Sequence, residues 1–220
     1  MRKIIKINFF IFVIFLSSSQ VFAEEAENKN GEDEKGIFGI VIENDAFAGT
    51  DRGYTNGFRL SYISPEANMP PLVRHASNYL PMLSHEGKKR ISFAVGQSMF
   101  TPDDIFSNVP NPNDRPYAAW LYASFGIVTD TGKILDNVVL TLGTVGPAAR
   151  GEQTQRYVHR VVGSAKPHGW DYQLKNEPGV VLTYERKWRE VLQVSQFGMK
   201  ADFMPHVGAN LGNINTDASV

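Results

Sequence analysis

The 220-residue chain contains no cysteine. That absence excludes thiol nucleophiles, disulfide staples and cysteine-ligated metal, and a chain of this length can bury enough surface to fold without staples. Its apolar opening run, residues 7–16, is too short to cross a bilayer as a helix, which needs roughly 20 residues. Charge of one sign is lacking too: 22 Lys and Arg stand against 23 Asp and Glu, a formal net charge of −1. A nucleic-acid binder would call for a basic face, so that partner is set aside. No Gly-x-Ser-x-Gly elbow and no EF-hand loop occurs, which leaves serine-hydrolase and EF-hand chemistry without support.

What is there begins with an export signal. Arg2, Lys3 and Lys6 precede the apolar run, and Val21-Phe22-Ala23 supplies a small-x-small ending. Residues 1–23 are therefore expected to be a cleaved signal peptide. Residues 24–35 are acidic, polar and free of aromatics, the composition of a disordered leader. Residues 36–220 are then expected to form one domain.

From Gly36 the texture changes to period-two alternation. Phe58, Leu60 and Tyr62 share one face, with Gly57, Arg59 and Ser61 on the other; Ile91, Phe93 and Val95 oppose Ser92, Ala94, Gly96 and Ser98. The pattern predicts strands near 37–45, 56–64, 91–99, 119–127, 136–145, 179–187, 191–198 and 202–211. A soluble sandwich turns its apolar face inward, whereas a membrane barrel turns it to lipid and keeps small and polar residues inside. Periodicity does not separate the two; export favours the barrel. Tyr54, Tyr62, Tyr117, Trp120, Tyr122, Tyr184 and Trp188 are candidates either for interfacial girdles or for core and rim positions. Val220 follows a polar stretch, residues 213–219, so the barrel is expected to be incomplete at its C-terminal end.

One segment breaks the β rhythm. Residues 151–162 carry good helix formers, Pro147 precedes them, and Gly163 stands where a helix would stop. Gln155 and His159, four apart, would share one face, with Glu152 a turn earlier. The segment lies between two strands and so reads as a helix at one barrel rim. Of the histidines, His75, His85, His168 and His206 read as surface or rim side chains. His159 stands out because its helix also offers Gln155, and a histidine can take a proton from water near neutral pH. Asn44-Asp45 form a second polar group at the end of the first strand. They either end that strand through side-chain to backbone bonds or supply hard oxygen ligands suited to calcium. Asp136, by contrast, reads as a residue that merely opens a strand.

These residues fall in a familiar order. Glu43-Asn44-Asp45, Tyr54-Thr55-Asn56-Gly57 and Asp114-Arg115-Pro116-Tyr117-Ala118 are followed by Gly146-Pro147, Gly151-Glu152, Gln155 and His159. His168-Gly169-Trp170, Gln173-Leu174 and Asn176-Glu177-Pro178-Gly179 complete the series. In order and spacing the series resembles the outer-membrane lipid A 3′-O-deacylases. The resemblance implies an all-β fold, an antiparallel transmembrane β-barrel of about twelve strands with a short rim helix. It implies calcium-dependent removal of the 3′ acyloxyacyl group of lipid A, the anchor of lipopolysaccharide, in the outer leaflet of the outer membrane. By motif position Asn44, Asp45, Thr55, Gln155 and His159 would form the active site. His159 would be the base, and a calcium ion held near Asp45 and Asn44 would polarise the ester carbonyl. The competing expectations are a barrel of the same fold without catalysis, and a soluble exported β protein that binds a ligand.

Overall fold

The structure, a computed structural model, describes residues 35–44, 56–189, 191–196 and 199–220. The expected signal peptide, nearly all of the leader, Asp45, Tyr54 and Thr55 lie outside the described residues. The main sheet runs β1 (Ile37–Asn44), β2 (Asn56–Ile63), β3 (Lys88–Phe100), β4 (Ala118–Asp130), β5 (Ile134–Val145), β6 (Glu177–Trp188), β9 (His206–Gly212) and β10 (Asp217–Ser219). Every neighbouring pair is antiparallel. Two shorter strands, β7 (Leu192–Gln196) and β8 (Met199–Phe203), pair only with each other. Among the described residues two α-helices interrupt the meander, α1 (Pro71–Ser77) and α2 (Gly151–Val162).

The register aligns the predicted alternation across the sheet. On one face lie Phe38, Ile40 and Ile42, then Leu60 and Tyr62, then Phe93 and Val95. Leu121 and Phe125, Leu140 and Leu142, Val180 and Leu182, and Leu211 continue it. Much of this face is open: Val95 is 52% exposed and Leu142 51%. The opposite face is small and polar. There the Trp120 and Tyr122 rings stack edge-to-face at 5.6 Å, and Ser124 hydrogen-bonds Thr141 at 2.9 Å. Apolar side chains outward with glycine, serine and threonine inward is the inside-out pattern of a membrane barrel wall. The chain is an all-β antiparallel barrel fold. At about 3.4 Å per residue, the 13-residue β3 and β4 exceed the ~25 Å apolar band of such a wall and carry structure beyond both of its edges.

Those ends hold the buried clusters. At the end where β3 stops and β4 starts, Met99, Tyr117, Ala119, Ala149 and Trp170 pack together. At the other end the segment between β2 and β3 folds back, and its Met69 and Leu83 meet Ile91 and Ile127 of the wall. Asp136 fastens that flap. Fully buried, its carboxylate accepts from Ser84 N–H (2.9 Å), Ser84 Oγ (2.6 Å) and Tyr184 Oη (3.2 Å). It also takes Arg186 Nε at 2.6 Å and Arg186 Nη2 at 3.0 Å. The expectation that Asp136 only opens a strand is therefore wrong.

Other expectations shift for local reasons. The strand near 191–198 belongs to the separate β7–β8 pair. The one near 202–211 is split by Pro205, which has no N–H to give a ladder. Part of the polar stretch 213–219 is itself a strand, since β10 pairs with Gly208–Asn210 of β9. Tyr117 is fully buried in the rim cluster, and Trp120 and Tyr122 sit on the polar face, so these three are not girdle residues.

Candidate active site

The meander sends alternate connections to alternate ends of the wall. The links β1–β2, β3–β4 and β5–β6 therefore share one rim, and the described candidates Asn44, Gln155 and His159 fall on or beside them. Asn44 ends β1 in register with Asn56, Asn56 with Met99, and Met99 with Ala119. This row crosses the apolar face at its upper edge. Adjacent strands are ~4.8 Å apart, so the Asn44 position lies about 10 Å from Met99.

On that row α2 is seated. It is fixed by a 3-10 turn, Pro147–Ala149, whose ends need unusual backbone: Gly146 has φ 94° and Arg150 φ 61°. A Cβ at Gly146 would meet the Lys175 carbonyl at 2.5 Å, so only glycine fits. Gln97 Nε2 donates to the Ala149 carbonyl at 2.6 Å, and Ala148 N–H donates to Asn176 Oδ1 at 2.8 Å, pinning the turn to the wall from two sides. Gly151 then lets the helix touch down. A Cβ there would collide with Ala119 and stand 2.6 Å from Trp170 Cη2. The helix ends where predicted, at a left-handed Gly163.

The motif residues around α2 prove to be its mount. Asp114 accepts from Asp103 N–H at 2.8 Å and Arg115 N–H at 2.7 Å, which hold its carboxyl below the usual carboxylate range and fold the β3–β4 loop. Tyr117 packs against Trp170 with ring centroids 4.8 Å apart, and its Oη donates to the Ile105 carbonyl at 3.3 Å. Burial, with the Asp104 charge nearby, pushes the Tyr117 phenol up to about 12. Gly169, at φ 88°, turns the chain so that Trp170 reaches under the helix.

Gln155 and His159 lie on the inward stripe of α2. Gln155 is only 3% exposed, and its Oε1 accepts from Trp170 Nε1 at 2.7 Å. An indole N–H can only donate, so the amide is fixed with its NH2 on the far side. That Nε2 is buried and has no partner among the described residues. His159 is half-buried, and its Nδ1 lies 2.6 Å from the Ala165 carbonyl. A carbonyl only accepts, so Nδ1 carries a proton, and in the neutral ring Nε2 is the atom with the lone pair. Glu152 does not orient this histidine; it pairs with Arg156 at 2.5 Å. Beside His159 opens a cavity of about 300 Å³, lined also by Arg156, Arg160, Ser164, Lys166 and Pro167.

The structure thus joins Gln155 and His159 on one helix face and puts the end of β1, with Asn44, on the same rim. Asp45 and Thr55 lie outside the described residues, as does the Asn44 side chain. Among the described residues no group of three or more His, Asp or Glu is placed to hold a metal ion. Trp170 and Gln97 were not legible as site residues, because their role rests on tertiary contacts that leave no periodic or spacing signal.

A family model described as outer membrane protein LpxR matches residues 9–220. Among solved structures, LpxR from Salmonella typhimurium is similar in fold, with a TM-score of 0.61 and 20% sequence identity. That match covers 81% of this chain and 59% of the other, so the chain spans less than two thirds of that structure. No curated protein matches the chain.

Proposed function

The chain belongs to the LpxR family of outer membrane proteins, and from that premise we propose that it hydrolyses the 3′ acyloxyacyl ester of lipid A, with His159 as the base. The observation that carries the proposal is the His159 ring. Its Nδ1–H is given to the Ala165 carbonyl, and the ring lines a cavity at the rim of a lipid-facing wall.

In this reading His159 Nε2 takes a proton from water, and the hydroxide attacks the ester carbonyl. The Gln155 NH2, a buried donor without an acceptor among the described residues, stabilises the negative charge that develops on the carbonyl oxygen. The imidazolium then returns its proton to the leaving sugar oxygen, which departs as the free hydroxyl. No covalent acyl-enzyme is needed, which accords with the absence of a serine elbow and of cysteine. Asn44 and Asp45 provide an amide and a carboxylate, hard oxygen donors of the kind calcium takes. A calcium ion bound there would supply Lewis-acid polarisation of the carbonyl.

The test is release of the acyloxyacyl group from purified lipid A by detergent-solubilised chain, with calcium or with chelator, for the parent and Asp45→Ala. The parent should be active only with calcium, and Asp45→Ala should lose both activity and the response to chelator. A variant that stays active and still responds to chelator would move the ion elsewhere.

A further inference from the structure

We propose that the cleft between the C-terminal half of α2 and residues 164–167 is a phosphate site, taking the phosphate monoester on the sugar that bears the scissile acyl chain. The inference rests on the esterase reading and adds a polar specificity element to it.

Three cations converge on the cleft: Arg156, Arg160 and Lys166 line it together with His159 and Ser164. Cations in a helix's last turn complement its dipole, which accounts for Arg160 in bland terms. It accounts neither for Lys166, beyond the helix, nor for Arg156. Arg156 gives Nη2 to Glu152 and keeps a buried Nε–H with no acceptor among the described residues. Such a donor lacks compensation until an acceptor arrives. Arg160 and Lys166 form no ion pair among the described residues. One half-committed guanidinium, one free guanidinium, one ammonium and a hydroxyl make a donor set for a dianionic oxyanion. At about 300 Å³ the cleft stands at the small end of ligand pockets, suited to a phosphoryl group and part of a sugar but not to acyl chains. Tyr157 and Val161, exposed on the same helix, leave an apolar flank for those chains. His159 lines the same cleft, so a phosphate seated there brings a neighbouring ester to the base.

The experiment measures binding apart from turnover. Affinity for lipid A carrying that phosphate, and for lipid A enzymatically stripped of it, is determined in mixed detergent micelles. The proteins are the parent chain, Arg160→Ala/Lys166→Ala and Arg160→Lys/Lys166→Arg. The parent should prefer the phosphorylated lipid on the order of ten- to a hundredfold, the range of charged hydrogen bonds. The alanine pair should lose the preference, the charge-conserving pair should keep most of it, and millimolar inorganic phosphate should erase it by filling the same cleft. Equal affinities in the parent, a preference that survives in the alanine pair, or one untouched by inorganic phosphate would overturn the assignment. Hydrolysis of both lipids without preference would leave the esterase standing and remove the phosphate site; preference without hydrolysis would do the reverse.

Discussion

Two side chains of α2, His159 and Gln155, are each oriented by one hydrogen bond, to the Ala165 carbonyl and to Trp170. If His159 Nε2 is the base, His159→Ala should cost on the order of 10²–10⁴-fold in rate, the usual span for a lost general base. Folding should be unchanged, since the half-buried ring belongs to neither core cluster. His168→Ala should lose far less: that residue is held by its backbone, whose N–H donates to the Ile105 carbonyl at 2.8 Å. Trp170→Phe tests the second side chain. It keeps a ring but strands the buried Gln155 oxygen, at a cost of about 1–3 kcal/mol. Activity should drop with stability, which denaturant titration alongside the assay would resolve.

The rim element is a mounted helix, and its mount has a pH signature. Tyr117 is neutral and buried against Trp170, with its phenol pushed up to about 12 from a reference near 10. Between those values the folded rim holds a proton that the unfolded chain has released, so stability falls as pH rises across that window and is fully present below it. Alkaline titration should therefore melt the rim cluster beginning near pH 10, read by Trp170 fluorescence; Tyr117→Phe should flatten the dependence. The flap at the opposite end hangs on Asp136. Asp136→Ala would leave Arg186 beside an emptied site and should destabilise by about 3 kcal/mol, with faster proteolysis within residues 64–87.

How these elements read in the sequence follows from the physics. The bounds of α2 were legible because Gly163 and a run of helix formers are local signals. Helix α1 was not, since it opens on Pro70-Pro71 and is only seven residues long. The β7–β8 pair alternates like a wall strand, and alternation does not say which strand is the partner. Of the candidate site, the spacing of Gln155 and His159 was legible, but the bonds that orient them, to Trp170 and to the Ala165 carbonyl, come from loops folding back.

For the whole molecule the governing feature is a wall with its apolar side out and its small, polar side in. Leu142 stands in that exposed band between Ala123 and Val180. Leu142→Arg should cost about 2–4 kcal/mol of stability in a bilayer, where a lipid-facing charge has no partner. In detergent the loss should be smaller, and folding titrations in both media would compare them. The rim carrying α2 lies at the edge of this band, which is where a base must sit to reach an ester anchored in one leaflet. The most direct measurement of that claim is the mass spectrum of lipid A from cells expressing the parent chain or His159→Ala. The parent should remove a mass equal to the 3′ acyloxyacyl group, and the variant, equally inserted, should leave lipid A intact. Lipid A of unchanged mass with the inserted parent, or equal loss with the variant, would contradict it.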